Sequence, residues 1–217
     1  MRKQVQKIFT STRFDKQTMM FSATMSGEIK NLVRKFLDTP FEIILDDKNL
    51  NLDGLKQAFV NLEDKEKNRK VYNMLKNFNY NQAIVFVKSG RRADALCHIL
   101  KKSEIKAKFI HAHMDKIKRQ RTFQSIKEGK TKVIIATDVF CRGMDFININ
   151  FVVNYDMPKD SDSYLHRVGR AGRFGTKGVT VSLVSGEEEK KILEEIQGRF
   201  ENKIVEMTGD FDLKSSL

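Results

Sequence analysis

The sequence predicts an α/β fold built on a parallel β-sheet with helices on both faces. From residue 56 onward, short apolar runs alternate with longer amphipathic stretches. Several runs lack a polar residue at every second position, which is typical of strands buried on both faces. Strands and helices that alternate along a chain form right-handed βαβ units. The predicted strands are residues 58–62, 83–87, 108–110, 133–136, 151–154 and 179–184.

The segments between these strands have apolar residues at helical spacing. In the second of them, Ala95 and Ile99 lie one turn apart, and in the last, Ile192, Ile196 and Phe200 follow the same spacing. In parallel sheets, ligand groups sit on the loops that follow the carboxyl ends of the strands. The predicted helices are residues 66–77, 91–102, 116–127, 161–168 and 187–200.

The first 45 residues follow a different pattern. One strand and two helices are too little to bury a core of their own, so this segment is predicted to be the tail of another domain. The next stretch is rich in Asp, Asn and Gly, which is typical of a linker. The predicted elements are an amphipathic segment 5–9, a strand 18–21, a helix 26–37 and an extended segment 41–45. The predicted divisions are 1–45, a linker 46–54 and a domain 55–217.

Composition favours a polyanionic partner. The chain has 40 Lys and Arg residues against 28 Asp and Glu, a net charge of +12, and such a surplus suits nucleic acid. No apolar stretch is long enough to span a membrane, and the N-terminus lacks a signal-peptide pattern, so neither a membrane nor export is expected. Cys97 and Cys141 lie far apart and match no metal-ligand spacing. They are interpreted as reduced thiols of an intracellular protein.

The strongest motif is the run H-R-V-G-R-A-G-R at residues 166–173. Arginine is permanently charged and can bridge two phosphate oxygens at once. Glycines let a loop approach a ligand or another backbone closely. The spacing of the arginines after a helix therefore favours charge stabilisation in phosphoryl transfer. The alternative is a solvated basic helix end.

A second motif, residues 136–145, follows the predicted strand 133–136. It lies where a parallel sheet holds its ligand groups. Thr137 offers a hydroxyl to a phosphate, and Asp145 is placed to accept a hydrogen bond from a ribose hydroxyl. The alternative is an ordinary strand-to-helix loop in which Thr137 and Asp138 act as caps.

A third motif runs from strand 83–87 into Ser89, where a helix is predicted to begin. Free N–H groups at a helix N-terminus favour phosphate. Arg91 and Arg92 in the first turn oppose the helix dipole, which indicates that an anion offsets their charge. The alternative is an exposed basic turn.

In order and spacing, these three segments resemble motifs IV, V and VI of the DEAD-box RNA helicases. The run Ser22-Ala23-Thr24 resembles motif III of the same family. The resemblance extends over residues 1–212 and implies a RecA-like C-terminal domain preceded by the tail of a first RecA-like domain. Residues 64–70, 154–158, 160–162 and 174–178 resemble the branch that acts in pre-mRNA splicing and mRNA export. That branch implies a nuclear location, with mRNA-processing or export proteins as partners.

The resemblance implies a role for each matching residue. Arg170 and Arg173 would act as arginine fingers on the γ-phosphate of ATP, a contribution of roughly 10³–10⁵ in rate where such groups have been tested. The residues implied to contact ATP are Asp145, Gly143, Arg170 and Arg173. Those implied to bind RNA phosphates are Thr137, Arg119, Ser89, Gly90, Arg91 and Lys116. Those implied to join the two helicase domains are Ser22, Ala23, Thr24, His166 and Arg167. Phosphate contacts make RNA binding independent of base sequence.

The sequence departs from the family pattern on the implied RNA face. Lys116 stands where the family usually has Gln, and His111 is followed by Ala112 and His113 instead of Arg and Gly. A metal site at the two histidines is not expected, because no third ligand is in view. The 217 residues also contain no G-x-x-x-x-G-K-[ST] phosphate loop and no Asp-Glu-Ala-Asp box.

ATP with Mg²⁺ would therefore be bound mainly by an N-terminal helicase domain, and this chain alone is expected to be inactive. Two other functions remain open at this point. One is a stand-alone RNA-binding or interaction module without ATPase activity. The other is a basic nucleotide-binding α/β protein with no role in RNA binding.

Overall fold

The computed structural model describes residues 2–25, 27–37, 39–44, 54–138, 146–172, 177–200 and 204–207. The chain divides into two compact units, Met1–Ile44 and Leu45–Leu217. This division lies next to the end of the predicted first segment at residue 45. Of the predicted linker, only Gly54 is among the described residues. Each unit is described here by itself.

The first unit contains two helices, α1 (Arg2–Ser11) and α2 (Gly27–Val33). Phe9 of α1 packs edge-on against Phe36, with ring centroids 5.0 Å apart. The strand predicted at residues 18–21 is wrong, because this segment is irregular and the side chain of Phe21 is 89% exposed. The reason is physical: a strand needs a hydrogen-bonded neighbour, and no strand is described between residues 2 and 44. Helix α2 ends before the predicted residue 37, and its chain continues as turns.

The second unit is a seven-stranded parallel sheet with helices on both faces, which confirms the predicted fold class. The strand order is β3-β4-β2-β5-β6-β1-β7. A 3₁₀ turn (Asp64–Glu66) precedes the first helix of this unit. The strands are β1 (Leu55–Asn61), β2 (Gln82–Phe86), β3 (Ala107–Ile110), β4 (Val133–Ala136), β5 (Ile149–Asn154), β6 (Gly178–Val184) and β7 (Val205–Glu206). The helices are α3 (Lys67–Asn77), α4 (Gly90–Lys102), α5 (Lys116–Lys127), α6 (Ser161–Val168) and α7 (Gly186–Arg199).

The core lies on both sides of the central strands. Alternate residues of β2 belong to different clusters: Ala83 and Val85 pack with α3 and α4, and Ile84 and Phe86 pack with α5. Every described residue of β2 and β4 is buried. Two-sided burial explains why these runs have no polar alternation in the sequence.

Two details differ from the sequence-based expectations. The buried face of α4 consists of Ala93, Leu96, Cys97 and Leu100, whereas Ala95 and Ile99 point outward. The helical spacing of Ala95 and Ile99 therefore identified the exposed face of α4 instead of its buried face. An isolated exposed Ile on a helix surface is ordinary. Strand β7 was not predicted, because its two residues carry no periodic signal. Within the described residues, no helix combines the length and apolar character needed to span a membrane.

Candidate functional site

Polar residues collect where the central strands end. Neighbouring strands β4, β2, β5 and β6 all run in the same direction, so the residues that follow them share one edge of the sheet. We call this edge the carboxyl edge. The order of strands along the chain reverses there, because β3 and β4 lie on one side of β2 and β5 and β6 lie on the other. In open α/β sheets this is the position where ligands bind.

Arg167 of α6 is the centre of a buried polar network at the carboxyl edge. Its residue surface is only 2% exposed. Its Nε and Nη2 donate to the carboxylate of Asp138, with Nη2 2.9 Å from Oδ2. Its Nη1 donates to Asn154 Oδ1 at 3.2 Å and to the backbone oxygen of Asp156 at 2.7 Å. The guanidinium also lies over the ring of Phe86, 5.0 Å from its centroid. Arg167 therefore ties α6 to the ends of β2, β4 and β5.

Arg92 connects α4 to the same edge. Its guanidinium lies 3.0 Å from the carboxylate of Asp156 and 3.2 Å from that of Asp64. The second carboxylate oxygen of Asp156 accepts a hydrogen bond from the backbone N–H of Lys88 at 2.9 Å. Burial acts to raise the pKa of Asp64, but the hydrogen bonds and charges of Arg92 and Lys67 together outweigh it and hold that pKa below its ordinary value. The sequence indicated that an anion offsets the charges in the first turn of α4. For Arg92, the carboxylates of Asp156 and Asp64 supply that negative charge.

A second buried cation anchors α3 and α7. Lys67 is fully buried, and its Nζ donates to both carboxylate oxygens of Glu189, at 2.9 and 3.2 Å. Glu189 also accepts hydrogen bonds from the backbone N–H groups of Ser185 at 2.7 Å and Met157 at 3.3 Å. A buried ammonium is tolerated only when it is paired and hydrogen-bonded. This contact fixes both helices against the ends of β5 and β6.

Helix α6 carries the start of the H-R-V-G-R-A-G-R motif to the carboxyl edge. Asp160 caps its N-terminus, because its carboxylate accepts a hydrogen bond from Ser163 N–H at 2.7 Å. In the middle of the helix, the hydroxyl of Tyr164 donates to Gln57 Oε1 at 2.7 Å. After the helix ends, Arg170 is partly buried and its Nε donates to the backbone oxygen of His166 at 3.1 Å. The helix is thus held along its length before the chain reaches Arg170.

The predicted RNA-contacting residues that follow β2 and β4 lie on the carboxyl edge. Ser89 is the N-cap of α4, and its Oγ accepts a hydrogen bond from Arg92 N–H at 3.2 Å. Arg91 is exposed, and Thr137 is partly exposed directly after β4. Gly90 is a point of close approach to the chain that follows β3. A Cβ there would lie 2.9 Å from His111 Nδ1.

Two further predicted RNA-contacting residues lie on α5, which follows β3. Lys116 is the exposed first residue of this helix, and Asp115 caps it. Arg119 is partly exposed, and its Nη1 donates to the backbone oxygen of Ala112 at 2.7 Å. Since β3 neighbours β4 and its following residue His111 packs on Gly90, the start of α5 belongs to the same edge.

Several predicted residues fall elsewhere. Gly143, Asp145 and Arg173 lie outside the described residues. Ser22, Ala23 and Thr24 lie in the first unit, where Ser22 Oγ donates to the backbone oxygen of Thr24 at 2.6 Å. In the described part of the chain there is no group of three or more His, Cys, Asp or Glu side chains that could hold a metal ion.

The contact of Arg167 with the other helicase domain stays a prediction. Its guanidinium is hydrogen-bonded to groups of its own domain, and these bonds hold α6 in place. Sequence reasoning missed Asp156, Lys67 and Glu189 as members of the site. For Asp156, a signal was present: it is a charged residue two positions after the end of a strand buried on both faces. For the pair Lys67 and Glu189, 122 residues apart, the sequence offers no such signal.

Comparisons with known proteins agree with this architecture. The family model described as helicase conserved C-terminal domain matches residues 66–175. The chain belongs to the DEAD-box helicase family, of which it carries this C-terminal domain. It is 49% identical over 207 residues to the ATP-dependent RNA helicase SUB2 of Eremothecium gossypii, a match that covers 95% of this chain and 47% of that protein. The SUB2 protein of Kluyveromyces lactis is 48% identical with the same coverage.

Solved DEAD-box structures have the same fold. Dbp5 L327V of S. cerevisiae, bound to RNA and ADP BeF3, matches with a TM-score of 0.89 and 28% identity, over 98% of this chain and 56% of that one. A DEAD box protein of Methanococcus jannaschii matches with a TM-score of 0.67 and 32% identity, over 95% of this chain and 55% of that one. The DEAD-box chain described here thus spans about half the length of the curated relatives it matches.

Proposed function

We propose that this chain is the C-terminal half of an ATP-dependent RNA helicase, and that it supplies arginine fingers for ATP hydrolysis. The observation that carries the proposal is the way α6 is held. Arg167 donates hydrogen bonds to groups at the ends of β4 and β5 and lies over Phe86 at the end of β2, so the chain leaves the helix at a defined point of the carboxyl edge. Arg170 follows directly, with its stem oriented by the His166 carbonyl. Such pre-organisation is what charge stabilisation of a transferring phosphoryl group requires.

ATP and Mg²⁺ would be bound mainly by an N-terminal helicase domain, since the phosphate loop and the acidic box are not among these 217 residues. When bound there, ATP would meet Arg170 and Arg173 at its γ-phosphate and Asp145 and Gly143 at its nucleoside. The guanidinium of Arg170 has the chemistry that phosphate binding needs. For the contact between the two domains, His166 and the Ser22-Ala23-Thr24 run are the proposed residues.

RNA would lie along the carboxyl edge. The turn at Ser89 and Gly90, the hydroxyl of Thr137 and the start of α5 share this edge, and they offer hydroxyl, backbone and cationic groups rather than base-reading pockets. Contacts to phosphates position RNA without reading its sequence, and they weaken steeply as salt is added. The match to Dbp5 bound to RNA over nearly the whole chain supports this arrangement.

We further propose that the complete protein acts in the nucleus in pre-mRNA splicing or mRNA export. This proposal rests on the resemblance of residues 154–158 and 174–178 to that branch of the family, and on the identity of almost half of the matched residues to SUB2. One matching Dbp5 structure also contains Nup159 and Gle1. Proteins of mRNA processing or export are therefore the proposed protein partners.

The test is the RNA-stimulated ATPase activity of this chain, alone and mixed with a separately produced N-terminal helicase half. We expect activity only in the mixture, and a loss of about 10³-fold or more with Arg170→Ala. Arg69→Ala is the matched control, because Arg69 is exposed on α3. A mixture that stays inactive while the chain still binds single-stranded RNA would favour the stand-alone binding module instead. Full activity of Arg170→Ala would refute the finger assignment.

A further inference from the structure

A groove lies at the amino ends of β3 and β4, on the sheet edge opposite the proposed RNA and ATP site. Its volume is about 620 Å³. Its charged lining consists of Lys101, Lys106, Lys108 and Lys130 with one acidic residue, Glu104. We call it the lysine groove. The strands that separate it from the carboxyl edge span about 13 Å at the usual rise per residue, so it is a separate surface.

The turn between α4 and β3 forms one wall of the lysine groove. Helix α4 ends at Lys102, and Ile105 N–H donates back to the carbonyl of Leu100 at 2.9 Å. Glu104 completes the turn with a φ of 65°, a left-handed conformation that residues other than glycine rarely adopt. Lys101 precedes the turn and Lys106 follows it, and both line the lysine groove.

The charges of the lysine groove are only partly compensated. Lys108 Nζ donates to the neutral hydroxyl of Ser125 at 2.8 Å, and Lys130 pairs at 2.6 Å with Glu128, which is itself partly exposed. Within the described residues, no salt bridge is present for Lys101 or Lys106. Like charges held close together repel each other, and an anionic ligand relieves that repulsion.

We propose that the lysine groove docks an acidic peptide segment of a partner protein. Its floor is apolar, formed by Ile105 and Ala107, which suits small apolar side chains between carboxylates. Its lining has no arginine and no aromatic residue. The proposed RNA face sets its cations beside a helix N-terminus and exposed hydroxyl groups, whereas the lysine groove sets its cations beside apolar side chains, which favours a peptide over RNA. Because it lies away from the carboxyl edge, a docked peptide leaves that edge open.

The test is fluorescence anisotropy with a short labelled peptide that alternates Glu and Leu, and with a matched peptide that has Gln in place of Glu. The full chain is used at low salt. We expect the Glu peptide to bind more tightly, and Lys106→Glu or Lys130→Glu to weaken it by about threefold to tenfold, since each reversal replaces an exposed attraction by a repulsion. Lys191→Glu, an exposed residue of α7 near the opposite edge, carries the same charge change and should have little effect.

Equal binding of the Glu and Gln peptides would overturn the proposal. An equal loss of affinity for the Glu peptide with Lys106→Glu and Lys191→Glu would also overturn it, because binding would then depend only on the net charge of the chain. Single-stranded RNA is titrated in parallel. If its affinity falls on Lys106→Glu as much as that of the Glu peptide, the groove is a nucleic-acid surface. Neither result depends on ATPase activity, so failure of this proposal and failure of the proposed function can be told apart.

Discussion

Replacing Arg167 with methionine tests whether the buried network at the carboxyl edge is held by that one side chain. Methionine keeps an unbranched apolar stem that can remain over Phe86, while it removes all of the guanidinium donors. Asn154 Oδ1 and the backbone oxygen of Asp156 then lose a partner in a buried position. The carboxylate of Asp138 loses its bidentate cation.

The expected loss of stability follows from these contacts. A buried acceptor left without a donor costs about 1–3 kcal/mol, and breaking a buried ion pair by removing one partner costs about 3–5 kcal/mol. The Asp138 side chain is 33% exposed, so water solvates part of its charge. The lower end of that range applies, and we expect Arg167→Met to lower the free energy of unfolding by about 3 kcal/mol. Arg167→Lys should lower the free energy of unfolding by an amount between zero and the loss for Arg167→Met, because one ammonium cannot serve all the acceptors arranged around a planar guanidinium.

The assay is urea unfolding followed by far-ultraviolet circular dichroism. With a slope of about 2 kcal/mol per molar urea, the midpoint should fall by about 1.5 M. Arg69→Met is the matched control on an exposed position and should change stability by less than about 0.5 kcal/mol. A loss below about 1 kcal/mol for Arg167→Met would refute the reasoning, since it would mean that water replaces the guanidinium at all its acceptors.

Two further substitutions probe local geometry. Burial acts to raise the pKa of Asp160, but hydrogen bonds from Ser163 and the nearby charge of Lys159 together outweigh it, so the folded pKa lies below its ordinary value. The contribution of this cap is therefore complete above that ordinary value and is lost as the pH falls through the folded pKa. Asp160→Ala should lower the free energy of unfolding, measured by thermal unfolding, by about 1 kcal/mol at neutral pH and by less in acid. An equal loss at both pH values would contradict the assignment of Asp160 as a charged helix cap. Gly90→Ala should cost about 1–3 kcal/mol by displacing the His111 ring, and adding His111→Ala should recover most of it. Absence of recovery would mean that the glycine serves another purpose.

The sequence was sufficient for the sheet and most of its helices because the relevant signals are local. Helices α5 and α6 were predicted with the bounds that the structure has, and both begin after an aspartate cap that can be read directly, Asp115 and Asp160. Strand β4 was also predicted with its observed bounds, since an uninterrupted apolar run marks burial on both faces. In the first unit, the strand expected at residues 18–21 failed because pairing is not a local property.

The site was only partly predictable, because its contacts join distant parts of the chain. The motif residues Ser89 and Thr137 could be placed at strand ends from sequence, which puts them on one edge of any parallel sheet. Which carboxylate meets which cation depends on strand order. The pairing of Arg167 with Asp138 requires β4, β2 and β5 to be neighbours in that order, and nothing in the sequence shows this order.

The arginines of one motif are equivalent in the sequence but not in the fold. A buried guanidinium is tolerated only when its donors are used, and Arg167 uses its donors on groups at the ends of two strands, β4 and β5. That side chain cannot reach a phosphate without giving up these partners. Arg170 comes after the helix has ended, and its Nε donates to the backbone oxygen of His166. The chemistry proposed for this motif therefore depends on a division of work: one arginine holds the helix in place, so that another can meet a ligand at a fixed position.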